Sequence, residues 1–163
     1  MDKTDILNKL ASYPARWFLS FSQESGNSFL TSALKILFKN GLKASGDFAV
    51  ENLRIDKQNY KVVRLDFSNL KPSSGIFEFR KALTDFLIDS FRSVGFSYDK
   101  EGTSVFSQLS RWLKTIPPCT LVLLIVDYDF PLTYSMSNEK LYRDVGYVSV
   151  SYTHLRAHET KAN

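Results

Sequence analysis

The segment Thr120-Leu121-Val122-Leu123-Leu124-Ile125-Val126 carries no charge and runs straight into Asp127-Tyr128-Asp129-Phe130-Pro131-Leu132. Its length, its β-branched content and the Pro117-Pro118 pair before it predict a strand and not a helix. A strand that is apolar on both faces belongs in the middle of a parallel sheet covered by helices. Acids at the carboxyl end of such a strand stand where open α/β sheets bind their ligands. This one run therefore predicts both a fold class, α/β, and the place to look for chemistry.

The rest of the chain supplies the helices and further strands that such a sheet requires. Ile6, Leu7 and Leu10 mark a short helix over Asp5–Ala11, ended by Pro14. Trp17–Phe21 reads as a buried strand, followed by the polar turn Ser22-Gln23-Glu24-Ser25-Gly26. Phe29, Leu30, Ala33, Leu34, Leu37 and Phe38 then form a wide helical stripe that closes near Asn40-Gly41. Lys61–Phe67 alternates as a strand does, and Pro72 to Gly75 breaks it. Phe79, Leu83, Leu87, Phe91 and Val94 line one face of a helix stopped by Gly95. Val105, Phe106, Leu109, Trp112, Leu113 and Ile116 line another that Pro117 ends. Strand and helix in alternation predict a parallel sheet flanked by helices.

Composition narrows the function classes. At 163 residues one domain with a core of its own is expected, and a hydrophobic fraction of 44% with 13 Phe argues for a packed globule. No apolar run reaches the roughly 20 residues of a membrane span. Met1-Asp2-Lys3-Thr4-Asp5 lacks the basic and apolar regions of a secretory leader, so a cytoplasmic protein with no membrane partner is expected. The single cysteine, Cys119, excludes an internal disulfide and a CxxC metal or redox motif, and reads as a small buried apolar residue. A net charge of +4 with scattered Lys and Arg identifies no polyanionic partner.

The end of the chain reads differently from the rest. Eleven residues from Val150, Val-Ser-Tyr-Thr-His-Leu-Arg-Ala-His-Glu-Thr, resemble the translated read-through of a widely used transposon-based sequencing adapter. Domain 1–149 is therefore expected to be the N-terminal part of a longer α/β domain, with 150–163 an artefactual tail. Both histidines, His154 and His158, lie in that tail. Their exclusion leaves no Ser-His or Cys-His pair, and only carboxylates and hydroxyls as metal ligands.

Two motifs carry a resemblance to a known family. Phe21-Ser22-Gln23-Glu24-Ser25-Gly26-Asn27-Ser28 stands between a strand and a helix, where the bacterial AAA-ATPase-like family has Arg-Pro-Arg-Arg-Phe-Gly-Lys-Ser. Leu124-Ile125-Val126-Asp127-Tyr128-Asp129-Phe130-Pro131-Leu132 is similar to that family's Leu-Ile-Asp-Glu-Tyr-Asp-x-Pro-Leu and is the more specific of the two. Asp2-Lys3-Thr4-Asp5 and Asn52-Leu53-Arg54-Ile55 also fit, and the resemblance runs from Asp2 to at least Tyr142. It implies a three-layer P-loop NTPase-like domain, incomplete at its C-terminus. ATP and Mg²⁺ are the implied cofactors, and a nuclease-like domain often follows in the family, the one route by which nucleic acid enters as a partner.

By the same resemblance Ser25, Gly26, Asn27 and Ser28 contact the nucleotide, Ser28 and Asp127 hold the metal, and Asp127 is the catalytic carboxylate that polarises the attacking water. The departures fall on the chemistry. A phosphate loop needs backbone N–H groups, a lysine against the phosphates and a hydroxyl on Mg²⁺. Asn27 stands in place of that lysine, and Gln23-Glu24 in place of a basic pair. Losing a charge-assisted hydrogen bond costs about 1.5–3 kcal/mol, and a carboxylate beside the triphosphate repels it. Val126 replaces the acid that helps to hold the metal, and alternation along a strand sets Asp127 and Asp129 on the face opposite it.

Three functions stay open on this basis. They are a degenerate nucleotide-binding domain with weak or no ATP hydrolysis, an active ATPase module of a nuclease-linked protein, and a non-catalytic α/β interaction module in which Ser25–Ser28 merely caps a helix.

Overall fold

A computed structural model describes the backbone at positions 31, 32, 34–36, 38, 60–73, 75–118 and 120–158, and side chains as far as Ser149. The expected elements at 5–11 and 17–21, the loop at 21–28 and Cys119 lie outside the described residues. The chain divides into two compact units, Met1–Val62 with Cys119–Leu124, and Val63–Pro118 with Ile125–Asn163.

In the first unit, the described residues between 31 and 38 are helical, as their apolar spacing predicts. Leu34 is buried and Ile36 exposed, and Phe38 meets the edge of Tyr60 with ring centroids 5.5 Å apart. Lys61 N–H donates to the Thr120 carbonyl at 2.8 Å, which sets the starts of two strands side by side.

Those strands are β1 (Lys61–Asp66) and β2 (Leu121–Val126), six residues each, and they form a small parallel sheet flanked by helices. The bond at their starts and their equal lengths set the register, Lys61 beside Leu121 through to Asp66 beside Val126. In β1 the alternation holds, with Val63 and Leu65 buried. Burial of β2 is less complete than its apolar sequence predicts. Leu121 to Leu124 are half-buried, Ile125 is exposed and Val126 is buried. Among the described residues β1 is its one strand neighbour.

β1 stops one residue before the sequence pattern does. The Asp66 carboxylate accepts from Ser68 N–H at 3.2 Å and from the Ser68 hydroxyl at 2.6 Å, which turns the chain into a 3-10 helix at Phe67–Asn69. Phe67 is thereby swung into the core, where it meets Phe86 edge to face with ring centroids 5.4 Å apart.

α1 (Ile76–Arg92) buries Phe79, Leu83, Leu87 and Phe91, the stripe its spacing predicts. Its end is a Schellman closure: Phe96 N–H reaches the Phe91 carbonyl at 3.2 Å and Gly95 N–H the Arg92 carbonyl at 3.1 Å. Gly95 takes φ 102, a conformation that a Cβ disfavours. α2 (Val105–Leu113) is capped by the Ser104 hydroxyl and buries Val105 and Leu109. It is shorter than its apolar pattern, because the last turn tightens to bonds from Thr115 to Trp112 and Ile116 to Leu113 ahead of Pro117. Trp112 closes an edge-to-face cluster with Phe91 and Phe96, at 5.9 and 5.7 Å. α3 (Phe130–Ser135) follows β2 after a three-residue turn, and α4 (Glu139–His158) packs against α1, α2 and α3 and buries Val145 and Val148.

Candidate acidic site at the strand ends

β2 ends on Val126, which is 7% exposed, and the next residue leaves the strand altogether. Asp127 takes φ 50, in the left-handed region that a side chain other than Asn, Asp or Gly rarely enters. The turn is closed by Phe130 N–H on the Asp127 carbonyl at 3.0 Å. Alternation therefore stops at Val126, and the placing of Asp127 and Asp129 on the opposite face of a continuing strand is overturned. Asp127 is exposed, and among the described residues its carboxylate has no hydrogen bond or ion pair.

Asp129 occupies the N-cap position of α3 without a side-chain capping bond, while its carbonyl accepts from Thr133 N–H and the Thr133 hydroxyl at 2.9 and 3.1 Å. Pro131 fits the first turn of α3, where no backbone donor is needed, and is buried. The buried Ser135 hydroxyl donates back to the Pro131 and Leu132 carbonyls at 3.0 and 2.9 Å. The Phe-Pro-Leu part of the motif is thus a helix start that carries the chain away from the two acids. Tyr128 remains half open at 44% exposure.

The register adds a third acid that the sequence reading did not single out. Asp66, at the end of β1, lies beside Val126, and directly paired residues of a parallel sheet share a face. Arg64 is two residues back on that same face, and its Nη2 donates to Asp66 Oδ2 at 2.7 Å. Arg64 Nε is buried and has no hydrogen-bond partner among the described residues. The available signal was an Asp two residues before a Ser at the end of an alternating run, which is turn chemistry, and two residues after an Arg.

Mg²⁺ is a hard cation that wants several oxygen ligands in a near-octahedral arrangement. Of the acids at the strand ends, Asp66 is already committed to Arg64 and Ser68, Asp127 stands in solvent, and the residue between them on the sheet is a buried valine. Among the described residues no group of three or more His, Cys, Asp and Glu is placed to hold a metal ion. The acidic half of a metal site does not fit these residues. Ser25, Gly26, Asn27 and Ser28 lie outside the described residues.

Among the described residues no helix is long and apolar enough to cross a membrane. Comparison with known families matches residues 1–158 to the family described as Predicted AAA-ATPase. No curated protein and no solved structure matches the chain.

Proposed function

The chain belongs to the predicted AAA-ATPase family, and from that premise we propose that it is a degenerate member, binding nucleotide weakly and hydrolysing little or none. Val126 carries the reading. A buried side chain without an oxygen occupies the position where the family resemblance puts a metal-holding acid. Asn27 in place of the phosphate-loop lysine points the same way, since nothing else in Ser25-Gly26-Asn27-Ser28 brings positive charge to a triphosphate. In this reading the Ser25–Ser28 backbone and the Ser28 hydroxyl meet the phosphates of ATP, and no hydrolytic step is assigned.

One observation favours a second reading, an active ATPase. The Asp127 carboxylate is exposed and held on a left-handed backbone with no partner among the described residues, as a group acting on an incoming water would be. A titration with ATP, with and without Mg²⁺, followed for both binding and phosphate release, separates them. The degenerate member binds weakly, to the same extent with and without Mg²⁺, and releases no phosphate. Turnover that Asp127→Asn abolishes establishes the active enzyme instead, and no binding at all leaves an interaction module.

A further inference from the structure

We infer that the carboxyl end of the sheet is held by an internal cation, the Arg64 guanidinium on Asp66, in the place where the family's chemistry calls for a divalent metal. The inference rests on the family reading, and it concerns what has taken over the metal's electrostatic task. Asp66 ends β1, and Asp127 and Asp129 stand in the turn after β2. In a metal-dependent site the cation offsets such a group of carboxylates. Here the acid nearest the sheet is neutralised from within its own strand.

Each part of the geometry fits that substitution. Arg64 and Asp66 are two apart on a strand, so their side chains lie on one face and meet at 2.7 Å without any contribution from a loop. Both are only about a quarter exposed, at 25% and 29%, so the pair is shielded from solvent much more than a surface bridge is. Asp66 has one oxygen on the guanidinium and the other on the Ser68 N–H and hydroxyl, which leaves it little capacity to enter a metal's first shell. On the same face, in register with Asp66, Val126 places methyl groups where a second carboxylate would have to stand to share a metal. A valine there is compatible with a guanidinium-held Asp66. Two carboxylates there would repel one another without a metal between them.

The test uses no nucleotide, so absent ATP binding would sink the proposed function and leave this inference standing. Thermal unfolding is followed in the full chain with Mg²⁺ from none to saturating, and Mn²⁺ binding is read by electron paramagnetic resonance. The wild-type chain is expected to melt at one temperature at every Mg²⁺ concentration and to leave Mn²⁺ in its aqueous spectrum. Arg64→Gln melts lower, and Mg²⁺ restores part of that loss. The Arg64→Gln, Asp66→Asn double variant shows no Mg²⁺ response, which ties the rescue to the released carboxylate. Mn²⁺ binding by the wild-type chain that Asp66→Asn removes would overturn the inference. An Arg64→Gln chain that folds and is indifferent to Mg²⁺ would overturn it equally. If that variant does not fold, the wild-type titration decides alone.

Discussion

One aspartate ends β1 and another stands just past the end of β2, and the two are used in opposite ways. At the end of β1, Asp66 is tied to Arg64, to Ser68 N–H and to the Ser68 hydroxyl, and its bonds drive the turn that buries Phe67. At the end of β2, the Asp127 carboxylate has no partner among the described residues, and its backbone sits at φ 50. One aspartate is consumed by the fold. The other stands at a conformational cost of order 1 kcal/mol, and its carboxylate makes no bond among the described residues that would offset it. The difference shows that an acid at a strand end is no sign of chemistry until its bonding partners are counted.

The largest effect should come from putting an acid where the family has one. Val126→Asp buries a carboxylate at a site 7% exposed, on the face it shares with Asp66. An uncompensated buried charge costs about 3–5 kcal/mol, so a drop of that order is expected in urea denaturation at neutral pH. The new group's folded pKa would be raised, so the folded chain binds its proton first and the deficit shrinks as pH falls through the acid range. A loss below about 1 kcal/mol would mean that Arg64 can serve two carboxylates, and that the strand ends are more alike than their bonding suggests.

Asp66→Ala comes next. It removes a turn cap and leaves Arg64, already holding an orphaned Nε, without its anion. About 2 kcal/mol is expected, since a lost cap and a lost charge-assisted bond are each worth about 1–2 kcal/mol and overlap here. Amide hydrogen exchange at Ser68 should accelerate in step with the loss of stability. Unchanged exchange there would show the turn to be held by something other than Asp66.

How far this contrast could be read from the residues follows from what each position depends on. α1 was legible because Phe79, Leu83, Leu87 and Phe91 repeat at helical spacing and Gly95 meets a requirement for positive φ that is local to its turn. β1 and β2 were legible as strands, within a residue at each end. The extra residue assigned to β1 was lost to a side chain: Asp66 caps the turn, and alternation is blind to capping. At Ile125 the reading failed for another reason, because an apolar run reports what a strand can bury and its neighbours decide what it does bury. Pairing across strands was beyond the sequence. Nothing local to Asp66 says that it lies beside a residue 60 positions on, and the Asp66–Val126 juxtaposition exists only through register. Asp127, singled out by its motif, was placed by alternation on a strand that had already ended.

The smallest effect is the sharpest on the comparison. Asp127→Gly should stabilise the chain slightly, by about 0.5 kcal/mol, because the glycine enters the left-handed region without strain and its extra freedom in the unfolded chain takes back part of the gain. Asp66→Gly in the parallel experiment should lose at least what Asp66→Ala loses, since β1 ends in an extended residue, φ −109, that gains nothing from glycine. Opposite signs for the same substitution at two strand ends would establish that one carboxylate is structural and the other is not. If Asp127→Gly instead cost about 1 kcal/mol or more, the carboxylate would have a stabilising partner. Its strain would then be offset within the fold, and the contrast between the two aspartates would disappear.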